Sequence, residues 1–443
     1  MNIVVRATAL RLLPALLLAL WSALLTALPA RAGGLAAGTV PINLEMAIQL
    51  AQEQDPQTAA ALAAADAAAE TAVADAQWAD PMVKLGVANL PTDTFAFDDQ
   101  PMTQKVIGIS QKLPRGGSAA LAGERGAHTA EAGYAGAADM ELALARDVAT
   151  AYLTVAEQLR VRELLAENRR WMQELVGYNR ARLATAQIQS QQLLQSQLAL
   201  ARLDDRIAAV DGEINRARGT LSRWIGGAAW GALDATPPAW RDTRDWLAAQ
   251  SLPLPMAIVE QHPAVAASSA RVAAERANVA LAQEAYKPQF GVDFAYGQRD
   301  RTPMSDGSDF ASVMVSFDLP LFRQNRQDRR LAASRARESA GILQRQNLLQ
   351  QLHAELNGAV AMAQTLDRRR DEYREYLLPQ AQATADAVLR GYASNTADLE
   401  AAIAARMDDI ESQISAARLT YGYFRALARI RYFRAVELDA NLK

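Results

Sequence analysis

YKPQFGVDFAYGQRDRTPMSDGSDFASVMVSFDLP, running from Tyr286 to Pro320, contains two runs of strict alternation. Phe290, Val292, Phe294 and Tyr296 are apolar or aromatic, whereas Gly291, Asp293, Ala295 and Gly297 between them are small or polar. After a polar stretch, 298–308, the pattern resumes with Ala311, Val313, Val315, Phe317 and Leu319 against Ser312, Met314, Ser316 and Asp318. A period of two belongs to a strand with one apolar face, so the stretch predicts a β-hairpin. Each strand is about ten residues long, the length a tilted strand needs to cross the hydrocarbon of a bilayer. A hairpin from a soluble sandwich alternates in the same way, so the rest of the chain must decide between them.

The N-terminus points to export. Arg6 and Arg11 precede or open an apolar run from Leu12 to Leu28, and the small-residue site Ala30-Arg31-Ala32 follows. This is the pattern of a secretory signal peptide, residues 1–32, with cleavage expected after Ala32. Pro14 interrupts the run, which argues against a membrane anchor. Removing residues 1–32 takes away three arginines and no acid, so the formal charge moves from −3 to −6. An acidic chain argues against a nucleic-acid partner. The absence of cysteine excludes disulfides, thiolate metal sites and a lipidated N-terminal cysteine. No later stretch is long and apolar enough for a membrane helix, so a membrane location would have to rest on strands.

A second hairpin precedes the first. A helix is expected over 42–79, stopped by Asp80-Pro81; Val83, Leu85 and Val87 then alternate with Lys84, Gly86 and Ala88. Ile107 and Ile109 keep one face of a further strand ending at Leu113-Pro114. The four strands are expected near 82–90, 103–112, 289–298 and 309–318. Pro56 to Pro81 and Pro263 to Pro288 both span 25 residues, while Pro81 to Pro114 spans 33 and Pro288 to Pro320 spans 32. An offset of 206 or 207 relates the halves and implies an internal two-fold repeat. Two heptad seams recur at the same offset: Leu203, Ile207, Val210, Ile214, Ala217 and Leu221, then Ile410, Ile414, Ala417, Tyr421, Phe424 and Ala428. Such seams want partner helices. Between hairpins and seams lie helical runs at 119–183 and 327–389, roughly 100 Å each if unbroken. The expected organisation is a first repeat at 33–225, a linker at 226–255, a second repeat at 256–433 and a tail at 434–443. The linker, with Trp230, Pro237-Pro238, Trp240 and Trp246, reads as a short-helix insertion packed on the long helices.

Four strands cannot close a barrel, and an open edge in lipid leaves backbone groups unsatisfied at several kcal/mol each. Oligomerisation is therefore required. Two chains give eight strands, a bore filled by side chains, whereas three give twelve. The expected fold is mainly α with a β-barrel portion: a trimeric 12-stranded outer-membrane β-barrel, four strands per chain, continued by a long α-helical tube.

The order helix, strand hairpin, long helices, stated twice, resembles the TolC-like outer-membrane efflux proteins over nearly the whole mature chain. Asn89-Leu90-Pro91-Thr92-Asp93-Thr94-Phe95, Pro101-Met102-Thr103-Gln104 and Ile109-Ser110-Gln111-Lys112-Leu113-Pro114-Arg115-Gly116-Gly117 resemble the subgroup serving heavy-metal cation pumps of the resistance-nodulation-division type. The resemblance implies a homotrimer in the outer membrane of a Gram-negative bacterium, with a periplasmic adaptor and an inner-membrane efflux pump as partners. It implies an exit duct for heavy-metal cations, or alternatively for drugs or secreted proteins. Many relatives carry a lipidated cysteine that this chain lacks. A structural coiled-coil adhesin is the alternative of another class, and it would not carry paired membrane-length hairpins.

No catalytic constellation stands out, so neither an enzyme nor a cofactor or bound metal is expected. His128, His262 and His353 are far apart, and Met82, Met102, Met304 and Met314 read as packing or loop residues rather than Cu(I) ligands. The lipid face is expected to be Val83, Leu85, Val87, Ile107, Ile109, Val292, Phe294, Val313, Val315 and Phe317. Turns near 184–191 and 391–396 are the expected tips contacting the adaptor, through Thr185, Ala186, Gly391, Ala393, Ser394 and Asn395. Gly391-Tyr392-Ala393-Ser394-Asn395-Thr396-Ala397-Asp398-Leu399 resembles the segment that carries a pore-lining aspartate in relatives. This makes Asp398 the expected periplasmic gate, with Gln192 its first-repeat counterpart and Arg390 and Tyr392 as latch partners. The alternative for Asp398 is a helix cap.

Overall fold

The computed structural model describes residues 41–302 and 306–435; the expected signal peptide, Met304 and most of the 434–443 tail lie outside them. Asn43 caps α1 (Leu44–Gln54), its Oδ1 accepting from the Met46 N–H at 2.8 Å. The expected single helix over 42–79 is in fact two. α1 ends at Gln54 and α2 spans Pro56–Asp75, with Asp55 extended between them. A residue before proline is disfavoured in α geometry, and proline at the first helical position loses nothing by lacking an N–H. The Asp55 carboxylate caps the restart, accepting from the Gln57 and Thr58 N–H groups at 3.2 and 3.0 Å.

β1 (Met82–Ala88) and β2 (Gln104–Lys112) lead into α3 (Ser118–Ala184), one unbroken helix of 67 residues. A short turn then gives α4 (Ser190–Ile225). Beyond the linker the order of elements is the same: α7 (Pro263–Glu284), β3 (Phe290–Gln298), β4 (Phe310–Phe317), α8 (Gln327–Glu372), α9 (Leu378–Ala393) and α10 (Leu399–Phe433). The expected run over 327–389 is interrupted by a π-helical turn, Tyr373–Leu377. Pro379 follows it; proline cannot donate to the preceding turn and its ring crowds a carbonyl there, which a widened turn relieves.

The linker folds as a 3₁₀ turn (Gly226–Trp230), α5 (Arg241–Ala248) and α6 (Ala257–Glu260), held on the long helices. Trp240 is fully buried, its ring 6.1 Å from that of Phe424 on α10. Arg431 is fully buried as well, and its Nη1 donates to both Asp242 oxygens at 2.9 and 2.8 Å and to Thr243 Oγ1 at 2.8 Å. Tyr152 Oη lies 2.7 Å from the Ile42 carbonyl and 2.6 Å from that of Asp234. On α8, His353 Nε2 lies 2.7 Å from the Leu254 carbonyl, and Asn357 Oδ1 accepts from the Leu254 N–H at 2.9 Å. Together with Leu356, Val360, Leu427 and Ile430 this is the main core. A second core runs away from it along Leu165, Met172, Leu203, Ile410 and Ile414, where the two heptad seams meet α3.

At two points of the α2–α3 seam nothing longer than a methyl group separates the backbones. Gly126 and Gly133 of α3 face Ala72 and Ala65 of α2 so closely that an added Cβ would lie 2.5 and 2.8 Å from the alanine Cβ atoms.

Candidate functional site

Two regions remain outside these cores: the sheet at one end of the helices and the pair of turns where α3 meets α4 and α9 meets α10. The four strands form one antiparallel sheet in the order β1-β2-β3-β4. Its register sets Val83 opposite Ile109 and Leu85 opposite Ile107, then Ile109 opposite Phe294. Phe294 in turn stands opposite Val313, Val292 opposite Val315 and Phe290 opposite Phe317. Because residues paired across strands share a face, the apolar alternation of all four strands falls on one side. The ten residues named above for the lipid face are all exposed there, Leu85 at 77% and Val313 at 71%. A contiguous apolar patch of this kind marks a surface meant to be covered.

The opposite face is mostly small and polar, with Val106 and Met314 among its residues. Lys84 on β1 forms an ion pair with Asp293 on β3, reaching over Gly108 of the intervening strand. β1 and β4 are the outer strands, and each carries a row of backbone groups with no strand partner among the described residues.

The two turns share a hydrogen-bond pattern. In the first, Thr185 N–H donates to the Ala181 carbonyl, Ala186 N–H to Leu183 and Gln187 N–H to Arg182, with Ala186 in the left-handed region at φ 56°. In the second, Ser394 N–H donates to Arg390, Asn395 N–H to Tyr392 and Thr396 N–H to Gly391, with Asn395 at φ 58°. Each is a helix C-terminal motif that satisfies the last carbonyls through one left-handed residue. Thr185, Ala186, Ala393, Ser394 and Asn395 are exposed, and Gly391 is half-buried beneath them.

Bonds that no local pattern announces tie the turns together. Arg182 Nη2 donates to Asn395 Oδ1 at 2.6 Å, and the Tyr392 hydroxyl to Asn179 Oδ1 at 2.6 Å. Tyr392 is buried, edge-on to Tyr178 with centroids 6.4 Å apart, and burial pushes its phenol pKa up. Its hydroxyl is thus engaged with α3 of the same protomer. Asp398 is exposed and caps α10, its Oδ1 accepting from the Ala401 N–H at 2.6 Å. Arg390 is exposed and Gln192 half-buried, on opposite sides of this group of turns in sequence.

The three histidines hold structural positions. His262 caps α7, its Nδ1 accepting from the Ala264 N–H at 3.2 Å while Nε2 donates to the Tyr432 carbonyl at 3.0 Å. Burial lowers its pKa, opposed by Asp139 and the Tyr432 carbonyl. His353 serves the linker, and His128 lies 3.0 Å from Glu131. Among the described residues no group of three or more His, Cys, Asp or Glu is placed to hold a metal, and no helix is long and apolar enough to cross a membrane.

No protein-family model matches the sequence, and no curated protein does. Solved structures do. A structure of CusC, described as undergoing transmembrane channel formation, is 17% identical, with a TM-score of 0.74 over 90% of this chain and 93% of its own. A membrane protein from Pseudomonas aeruginosa is 18% identical, with a TM-score of 0.73 over 89% and 92%. The outer membrane protein VceC from Vibrio cholerae is 15% identical, with a TM-score of 0.72 over 89% and 97%. With its long helices, four-stranded antiparallel sheet and near-complete mutual coverage of these proteins, the chain has the fold of the TolC-type outer-membrane channels.

Proposed function

We propose that this chain is the exit duct of a tripartite efflux assembly, a homotrimer in the outer membrane of a Gram-negative bacterium that conducts cargo passively and is not an enzyme. The observation that carries the reading is the sheet: one face carries a continuous band of exposed apolar side chains, with Lys105 and Gln111 at its two margins, the other is mostly small and polar, and both edges are open. Closing three such sheets edge to edge satisfies every edge and turns the apolar face to lipid, whereas leaving them open in hydrocarbon costs several kcal/mol per orphaned group. Val83, Leu85, Val87, Ile107, Ile109, Val292, Phe294, Val313, Val315 and Phe317 then face lipid. Residues 1–32 are removed on export, and the two halves of the mature chain are repeats, consistent with the same order of elements in each.

At the far end, the turns bearing Thr185, Ala186, Gly391, Ala393, Ser394 and Asn395 meet the periplasmic adaptor, and through it the inner-membrane pump. Asp398, with Gln192, Arg390 and Tyr392 near it, forms the periplasmic constriction; the Asp398 oxygen not spent on the Ala401 N–H is the one available to a passing cation. Heavy-metal cations are the cargo implied by the sequence resemblance, and CusC is among the similar structures. Multidrug and protein export use the same architecture, so the fold supports the duct and leaves cargo to the chemistry of its wall.

The test is expression in a Gram-negative host followed by membrane fractionation, native mass measurement and planar-bilayer recording. A trimer in the outer-membrane fraction that forms discrete pores is expected. A monomer recovered with soluble periplasmic contents would reject the duct.

A further inference from the structure

A cavity of about 750 Å³ lies among α3, α7 and α8, and its charged lining is Arg125, Arg271, Arg337 and Glu275. The linker shows which side of the wall this is. α3 and α8 hold the linker segment through Tyr152 and His353. Arg125 precedes Tyr152 by 27 residues, roughly seven and a half helical turns, and Arg337 precedes His353 by 16, roughly four and a half. Both arginines therefore stand about half a turn away from the covered face. Arg330 lies about two turns before Arg337 on the same line of α8 and is exposed, and Arg326 immediately precedes the helix.

Arg125 is paired with Asp75 at 2.8 Å. Arg271, Arg326, Arg330 and Arg337 have no side-chain hydrogen-bond or ion-pair partner among the described residues. The carboxylate of the lining, Glu275, accepts from Asn278 at 3.3 Å. In a chain whose formal charge is −3, this face is a local inversion of sign. On the opposite side of the α7–α8 seam the arginines are engaged instead, Arg276 with Glu338 at 3.2 Å and Arg345 with the Ser269 hydroxyl at 2.7 Å.

Resting on the duct reading, the linker must lie outside the closed tube, since three copies of it inside would obstruct the bore; the arginine face then lines the channel. We propose that Arg271 and Arg337, extended along α8 by Arg330, form a luminal collar that selects anionic cargo, namely molecules bearing carboxylate, sulfonate or phosphate groups, over free metal cations. Guanidinium groups match such oxyanions in geometry as well as charge. Three-fold closure sets the collars of three protomers around one bore with low-dielectric walls, which focus the field and raise the local concentration of counter-ions.

The full-length protein in detergent is titrated at low salt with pyranine, a trisulfonated pyrene, and binding is read by fluorescence anisotropy. R271Q/R337Q is expected to bind about tenfold more weakly, and ~0.15 M salt to weaken wild-type binding toward the variant. R276Q, on the other side of the seam, is expected to bind as wild type does. In planar bilayers under a KCl gradient, the wild-type reversal potential is expected to show a preference for chloride that R271Q/R337Q loses. Equal dye binding by wild type and R271Q/R337Q, or a wild-type pore that prefers potassium, overturns the collar. Dye binding that depends on the arginines in a protein that forms no pore upholds the anion site and rejects the duct.

Discussion

The core around Trp240 and the four-stranded sheet are built from the same residue types and reach opposite outcomes. Around Trp240, apolar side chains from α1, α3, α8, α10 and the linker close on one another inside a single protomer, and the buried Arg431 finds its carboxylate there too. In the sheet, valine, leucine, isoleucine and phenylalanine point outward with no core of their own. Hydrophobic burial stabilises the first region as the protomer folds, while the second gains it only when something outside the protomer covers it. In the proposed trimer, folding and assembly are therefore separable: the helices hold the strand ends in place, and the sheet would be completed afterwards.

Substitutions at the two regions should separate accordingly. Trp240→Ala is expected to have the largest effect, costing about 4 kcal/mol through the cavity it leaves, seen as a lower Tm of the detergent-solubilised protein whether or not it is trimeric. Val292→Arg is expected to cost about 3 kcal/mol near the middle of a bilayer and to reduce trimer recovery while leaving the monomer's helical circular dichroism intact. Ser316→Arg is its control on the polar face; Asp293, which a reading of the alternation alone would also nominate, is unsuitable because it is bonded to Lys84. Should Val292→Arg and Ser316→Arg assemble equally well, the contrast between the regions fails.

Smaller effects sharpen it. Tyr392→Phe removes the bond to Asn179 and is expected to cost about 1 kcal/mol, detected as faster amide exchange along the α9–α10 turn with little change near Trp240. His262 gives a pH signature to the main core alone. Its folded pKa is lowered, so the unfolded chain takes up a proton first as pH falls below the ordinary value of 6.5. Stability from His262 is then fully present above that value and declines below it. His262→Asn retains a capping side chain, and its Tm should fall less steeply on acidification than that of wild type. An unchanged slope would take the effect away from His262.

The sheet was legible residue by residue because its signal is local: period-two alternation gave all four strands to within two residues. The long helices were legible for the same reason, as were their heptad seams. Two helix breaks were not. Pro56 sits where proline costs a helix nothing, so an alanine-rich pattern reads straight through it, and the π-helical turn before Pro379 falls in a run rich in Ala, Arg, Gln and Glu that has little apolar period to interrupt. The bonds of the turns, Arg182 to Asn395 and Tyr392 to Asn179, join residues 213 apart and leave no trace in either segment. The arginine face was hidden differently. Its members are spread over α7 and α8, and only the cavity they share with α3, together with the helical phase fixed by Tyr152 and His353, gathers them on one side.

The glycine–alanine seam between α2 and α3 bears on how the wall can deform. Where backbones meet with nothing longer than a methyl group between them, there are no rotamers to exchange and no room to close further. Rearrangement of packed helices proceeds by small shear, which needs side chains that can trade contacts. α2 and α3 therefore behave as a single stave. In the proposed tube, a change in the width of this part of the wall would fall on the remaining joints, among them α7–α8, whose two flanks hold long arginine and glutamine side chains around open space.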